Sequence, residues 1–350
     1  MKIDKKQILI YASYIILSTF IYNIYMIELY KMNDFTIMNR NYVLSQYVFT
    51  YQNMGFVARG LLPSIFELIK LNNKCTYYIF YNIVLIFYVI TIIYLGIKYV
   101  YQYRNKFIIS VLFLYFGVFH FTIDTMRTDM LIILFSICIF ILLDNNKKII
   151  SILISIISLF IHEASFFLIV PIFILFNRSK YKTLFIIFIL STIFLLITFL
   201  SNKTIENNAI EMISNFPDIT QIKRFFYIGY TSGIIENITF YFSTINNYFL
   251  ILILVIGIFI YIFCFRELFS KQLAQKNIFI LFPLLLCFVA IDYSRWLHFT
   301  FILLILFCIK QNLFNDKIFK RLVYCLPFSI VFNSSILIIL GSLYKYFTRL

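Results

Sequence analysis

Apolar runs of spanning or near-spanning length recur along the whole chain, at about 8–29, 77–97, 107–121, 130–143, 183–200, 249–265, 278–291, 297–309 and 322–342. Each reads as a helix that crosses, or nearly crosses, a membrane. The run at 149–176 does not fit this series. It has His162-Glu163 in its middle, and a charged group at the centre of a membrane helix costs about 2.5–3.5 kcal/mol on insertion scales. As one helix the run would be about 42 Å long, against a hydrocarbon core of about 30 Å. Folded at His162-Glu163, it becomes a re-entrant-like hairpin with two short arms.

The basic residues discriminate between these two forms. With a cytoplasmic N-terminus, the hairpin places the majority of the 30 Lys and Arg on the inner side, whereas a single span places the majority outside. The positive-inside rule therefore favours the hairpin. The expected fold is all-α: one polytopic transmembrane bundle over 1–350 with about 10–11 membrane segments. Long outer loops are expected at about 30–76 and 201–248. All three histidines, His120, His162 and His298, then fall at the outer face, while the inner loops are short and basic. Any chemistry is expected outside.

Composition agrees with this outline. Of the 350 residues, 62% are hydrophobic and 13% charged, with a mean hydropathy of +0.93, far from soluble globular domains. The net charge of +15 is accounted for by loop charge. No basic stripe interleaves with solvated aromatics, which argues against a nucleic-acid partner. Six cysteines show no C-x-x-C pair or other metal spacing, so neither a disulfide framework nor a metal site is expected. The basic start, MKIDKKQ, leads into an apolar stretch without a small-residue cleavage site and reads as an uncleaved signal anchor. There is no internal repeat, and no Walker, Rossmann or G-x-S-x-G motif.

Candidate chemistry gathers in four places. In the first outer loop, Gly55 and Gly60 bracket Arg59 ahead of Pro63. Glycines let backbone approach a ligand, and a guanidinium can grip a phosphate bidentately; the competing reading is an interfacial helix whose Arg reaches headgroups. At the next outer junction stand His120, Asp124, Arg127 and Asp129, the first three at helical i, i+4, i+7 spacing. A solvated turn with a local ion pair would look the same. A later junction compresses Asp292, Arg295 and His298 around Trp296, where the aromatics also suit interfacial anchoring. His162-Glu163 is either a helix breaker facing water or a recessed base. The 201–248 loop has no recognisable pattern, and its length fits a lid.

Arginines, acids and a His-Glu pair at one leaflet suit a lipid-linked pyrophosphate substrate. Arg59, Arg127 and Arg295 would hold the pyrophosphate. Asp124 and Asp292 would orient arginines or sugar hydroxyls, His120 and His298 would join in substrate binding, and Glu163 or His162 would take a proton. On the Gly55–Pro63 segment, Arg127 with its flanking acids, Ile161-His162-Glu163-Ala164 and Asp292–Trp296, the chain resembles the O-antigen polymerases (Wzy-type) of Gram-negative bacteria. The resemblance implies polymerisation of undecaprenyl-pyrophosphate-linked oligosaccharide repeat units at the periplasmic face of the inner membrane, by metal-independent glycosyl transfer without a cofactor. It also implies a chain-length regulator and a flippase as partners. Members of that family often place key arginines in the large periplasmic loops, whereas the 201–248 loop here offers only Arg224. Two alternatives stand beside it. A lipid-phosphate-sugar-dependent transferase adding a single residue usually has acids in its first outer loop, and this loop is more basic than acidic. A repeat-unit flippase would need polar groups through both leaflets, and here they gather at one face.

Overall fold

The computed structural model describes residues 49–71, 74–95, 98, 128–176, 180–201, 239, 245–269, 277–288, 293–313, 315, 317–318, 320–322 and 324. These residues form an all-α protein; no strand occurs among them. Two compact units divide the chain, one containing 34–88 and 124–236, the other containing 89–123 and 237–350 together with the N-terminal residues.

α1 (Tyr51–Met54) and α2 (Leu61–Leu68), in the first unit, precede the long α3 (Lys74–Leu95), whose residues are divided between the two units at Tyr88. α4 (Asp129–Asp144) turns through Asn145–Lys147 into α5 (Lys148–Ile161), closed by the Lys147 N–H donating to the Leu142 carbonyl at 2.8 Å. The apolar run at 149–176 is two helices. α5 ends at Ile161, a 3-10 turn covers Glu163–Ser165, and α6 (Phe166–Phe176) follows. At 1.5 Å per residue the arms are about 21 Å and 17 Å long. α7 (Lys180–Leu200) completes the set.

Ring contacts fix the directions. Phe176, at the end of α6, meets Phe140 near the end of α4 at 5.1 Å, so α6 returns to the end from which α5 started. Phe194, late in α7, stacks on Phe166 at the start of α6 at 4.7 Å, so α7 runs back again. The four helices alternate in direction, and α4 packs against both arms. One end of this bundle carries the His162–Ser165 break, Asp129 and Ser201. The other carries the exposed Lys147, Lys148 and Lys182.

Burial on α5 is inverted relative to a water-soluble helix, whereas α4 and α6 bury apolar side chains. Ser151, Ser155 and Ser158, at i, i+4, i+7 on α5, are buried, while Ile149, Leu153 and Ile157 are exposed. Small side chains let α5 approach its neighbour closely. Two of the hydroxyls bond backward: Ser151 Oγ donates to the Lys147 carbonyl at 2.9 Å and Ser155 Oγ to the Ser151 carbonyl at 2.6 Å. α7 exposes Leu184, Phe185, Phe188, Leu196 and Phe199, and it is the one helix among the described residues long and apolar enough to cross a membrane.

In the second unit, α8 (Ile245–Cys264), a short 3-10 turn (Arg266–Phe269) and a 3-10 helix (Ile278–Phe288) surround α9 (Tyr293–Lys310). α9 is apolar all round and is buried from Trp296 to Ile309, as expected of a central helix. Within the run at 278–291, expected as an ordinary helix, the described part Ile278–Phe288 is wound as 3-10 and contains Pro283, which has no N–H to donate. Below α9, Gln311 and Asn277 exchange side-chain hydrogen bonds, with Gln311 Nε2 donating to Asn277 Oδ1 at 2.8 Å. Arg321 donates to Glu267 and to the Phe263 carbonyl. Cys138, Cys264 and Cys308 form no disulfide.

If the serine face of α5 is its packed face, Ser155→Leu overfills it and costs about 1–3 kcal/mol. Leu153→Ala, on the exposed face, costs less than about 0.5 kcal/mol. Thermal unfolding followed by circular dichroism in detergent should rank the two variants in that order.

Candidate functional site

The loop before α2 is shaped to present one side chain. Gly55 has φ +65°, a conformation that favours glycine. Beyond it, Phe56 stacks on Tyr51 at 5.8 Å and meets Phe160 of α5 edge-on at 6.4 Å, while Val57 is fully buried. The Gly60 N–H closes a turn onto the Val57 carbonyl at 3.1 Å. Inside this turn Arg59 adopts φ +64°, a left-handed conformation rare for a residue with a Cβ and a cost that surrounding contacts must offset. Gly60 sits against Tyr51, and a Cβ there would lie 2.5 Å from the Tyr51 ring.

Three hydrogen bonds hold the loop. Ser64 Oγ donates to the Gly60 carbonyl at 2.6 Å and accepts the Tyr51 N–H at 2.7 Å. The Ala58 N–H donates to Ser201 Oγ at 2.7 Å, tying the loop to the end of α7.

What Arg59 meets is the break in the apolar run. His162 leaves the helix with an extended backbone (φ −162°, ψ 120°), while its N–H still donates to the Ser158 carbonyl at 2.9 Å. Its Nδ1 accepts the Ala164 N–H at 3.1 Å, and its carbonyl accepts the Ser165 N–H at 3.0 Å. The ring thus caps the 3-10 turn, satisfying a donor that the break would otherwise bury. A neutral imidazole accepting at Nδ1 carries its hydrogen on Nε2, which makes that atom a donor. In this arrangement the buried ring caps the turn through Nδ1.

Glu163 follows directly. Arg59 Nε lies 3.0 Å from both Glu163 carboxylate oxygens, and Arg59 Nη2 donates to Oε1. The His162 ring stands beside them, with Nδ1 3.5 Å from Oε2. The two paired side chains are 15% and 24% exposed, so the pair is largely shielded but still open to one side. Burial alone would push the Glu163 carboxyl up. The Arg59 guanidinium, by its charge and its hydrogen bonds, holds it well below the usual carboxylate range.

Of the other residues singled out by sequence, Asp129 is buried in the first turn of α4, where a helix N-terminus favours negative charge. Arg295 and His298 lie at the start of α9 in the second unit. The Arg295 guanidinium covers the Trp296 ring at 4.9 Å, and His298 is buried. His120, Asp124, Arg127 and Asp292 lie outside the described residues. The structure brings Arg59, His162 and Glu163 together. It adds Ser201, Ser64 and Tyr51, none of which carried a sequence signal. Among the described residues no group of three His, Cys, Asp or Glu could hold a metal ion. The chain matches no protein-family model, no curated protein and no solved structure.

A carboxyl held low in the folded state contributes stability that is present above its unfolded value and lost as pH falls. The wild-type protein should therefore lose thermal stability as pH drops below about 4, and Glu163→Gln should lose less over the same range. Parallel melting curves of the two proteins from pH 7 to pH 3 check this.

Proposed function

We propose that the protein is a polytopic inner-membrane glycosyltransferase that polymerises undecaprenyl-pyrophosphate-linked oligosaccharide repeat units at the periplasmic face. A membrane location is supported by the inverted burial of α5 and by the apolar surface of α7, both costly in water and favourable in lipid. The arms of the 149–176 run are too short to cross, and they suit a re-entrant hairpin whose tip faces outward. Lys147, Lys148 and Lys182 gather at the end opposite Glu163, the arrangement expected if that end is cytoplasmic. α2 exposes Ile65 and Leu68 together with the following Ile69 and Leu71, which suits an interfacial helix resting against lipid.

The observation that carries the reading is the arginine held by a carboxylate at the hairpin tip. A strained, glycine-flanked loop directs one guanidinium to the end of a membrane bundle where a lipid-attached pyrophosphate would arrive. Such a group suits anion binding and charge stabilisation of a leaving pyrophosphate. The donor's activated bond comes with its lipid, so the protein needs groups that position the anion and manage one proton. Arg59 fills the first role. Arg127 and Asp124 belong to the same proposal as further substrate-binding groups, Arg295, Asp292, His120 and His298 are proposed as substrate-binding groups of the second unit, and the chain-length regulator and flippase are proposed partners.

In membranes supplied with undecaprenyl-pyrophosphate-linked repeat units, wild-type protein should give a ladder of products. Arg59→Ala and Glu163→Ala should each lower ladder formation by about 10²–10³-fold, with the protein still present in the membrane. A wild-type ladder from both variants contradicts the assignment, and a single addition in place of a ladder contradicts polymerisation.

A further inference from the structure

We propose that Arg59 is an exchangeable partner: arriving pyrophosphate takes the guanidinium from Glu163, and the freed carboxylate becomes the group that accepts the proton of the attacking hydroxyl. This rests on the reading of the site as one for a lipid-linked pyrophosphate.

The geometry sets up a competition. Glu163 is bound by the Nε and Nη2 edge of Arg59, and this is one of the edges through which a guanidinium grips a phosphate bidentately. A carboxylate and a phosphate cannot both have that edge in full. The loop backbone cannot swing far to serve both. It is fixed by the Gly60 turn, by Ser64 and by Ser201, so the choice is made by the side chain. A doubly charged pyrophosphate outbids a single carboxylate for the same cation.

Release changes what Glu163 can do. Helices α4, α5, α6 and α7 pack around its turn. Among the described residues, the titratable groups at this end are His162 on the same turn and Asp129 at the start of α4, with Arg59 reaching in from the loop. The His162 ring already spends Nδ1 on the Ala164 N–H. With the guanidinium withdrawn, the carboxyl loses the charge and the hydrogen bonds by which Arg59 holds it low, and burial pushes it up. The resting pair thus keeps the base inactive until the substrate's own charge releases it.

The step balances. The acceptor hydroxyl gives its proton to a Glu163 carboxylate oxygen as its oxygen bonds to the donor's anomeric carbon. The bond from that carbon to the phosphate oxygen breaks, and the electron pair leaves with undecaprenyl pyrophosphate, still held by Arg59. When the lipid departs, Glu163 gives its proton to water at the outer face and recaptures Arg59. Glu163 therefore touches the reacting hydroxyl only while the anion is bound.

Hydrophobic carbodiimides modify protonated carboxyls in apolar surroundings, so they report this exchange without an activity assay. In membranes containing the full chain at neutral pH, Glu163 should be nearly unmodified by peptide mass analysis. Adding inorganic pyrophosphate should raise its modification at least about tenfold. Arg59→Gln should be modified without pyrophosphate. Arg59→Lys, which keeps the charge, should remain protected, separating loss of the partner from unfolding. If pyrophosphate leaves wild-type Glu163 protected while Arg59→Gln is modified, the exchange is wrong, though the ladder experiment can still support polymerisation. If Arg59→Gln is protected as well, Arg59 does not govern this carboxyl and the exchange is wrong at its root.

Discussion

The ion pair between Arg59 and Glu163 joins two segments that are 104 residues apart in the chain. Neither partner could occupy its position alone at low cost. Glu163 lies in the middle of an apolar run, where an uncompensated charge is expensive. Arg59 has a left-handed backbone and a largely shielded guanidinium. Each offsets the other's cost, and the combination pins the first long loop onto the end of the α4–α7 bundle. Other features of that end serve this contact. His162 caps the broken helix so that Glu163 can turn outward, and Ser201 and Ser64 fix the backbone on either side of Arg59.

The bundle beneath makes such a contact possible. Its helices alternate in direction, and its ends differ in chemistry, with lysines at one and the Arg–Glu–His cluster at the other. Packing through serines on α5 leaves bulky aliphatic side chains facing outward. Close approach at the serines of α5 adds to the apolar interior supplied by α4 and α6 in holding the bundle rigid. Rigidity matters because a guanidinium selecting between two anions must have both presented at fixed positions.

Much of this was legible in the sequence, and the physical reasons differ by feature. The break in the 149–176 run was visible because two polar residues in an apolar stretch cannot be ignored energetically. Helices α3 and α4 fall within a few residues of the apolar runs that announced them, since hydropathy alone defines such elements. Arg59 and Glu163 were each conspicuous, yet their pairing was not, because nothing in spacing links positions so far apart. His162 looked like a candidate base, and its capping role depends on a backbone angle that no residue type dictates. Ser201 and Ser64 were invisible because a serine hydroxyl is common and acquires meaning only through its partner. The 278–291 run showed its apolar character but not the 3-10 winding of Ile278–Phe288.

The central claim is that Arg59 and Glu163 act as a unit, and a double-mutant cycle measures this directly. Unfolding free energies of wild type, Arg59→Gln, Glu163→Gln and the double variant should show that the double is little worse than either single. The coupling energy should be about 0.5–3 kcal/mol. Costs that simply add would mean the two side chains do not depend on each other, and the account of the site built on their contact would be contradicted.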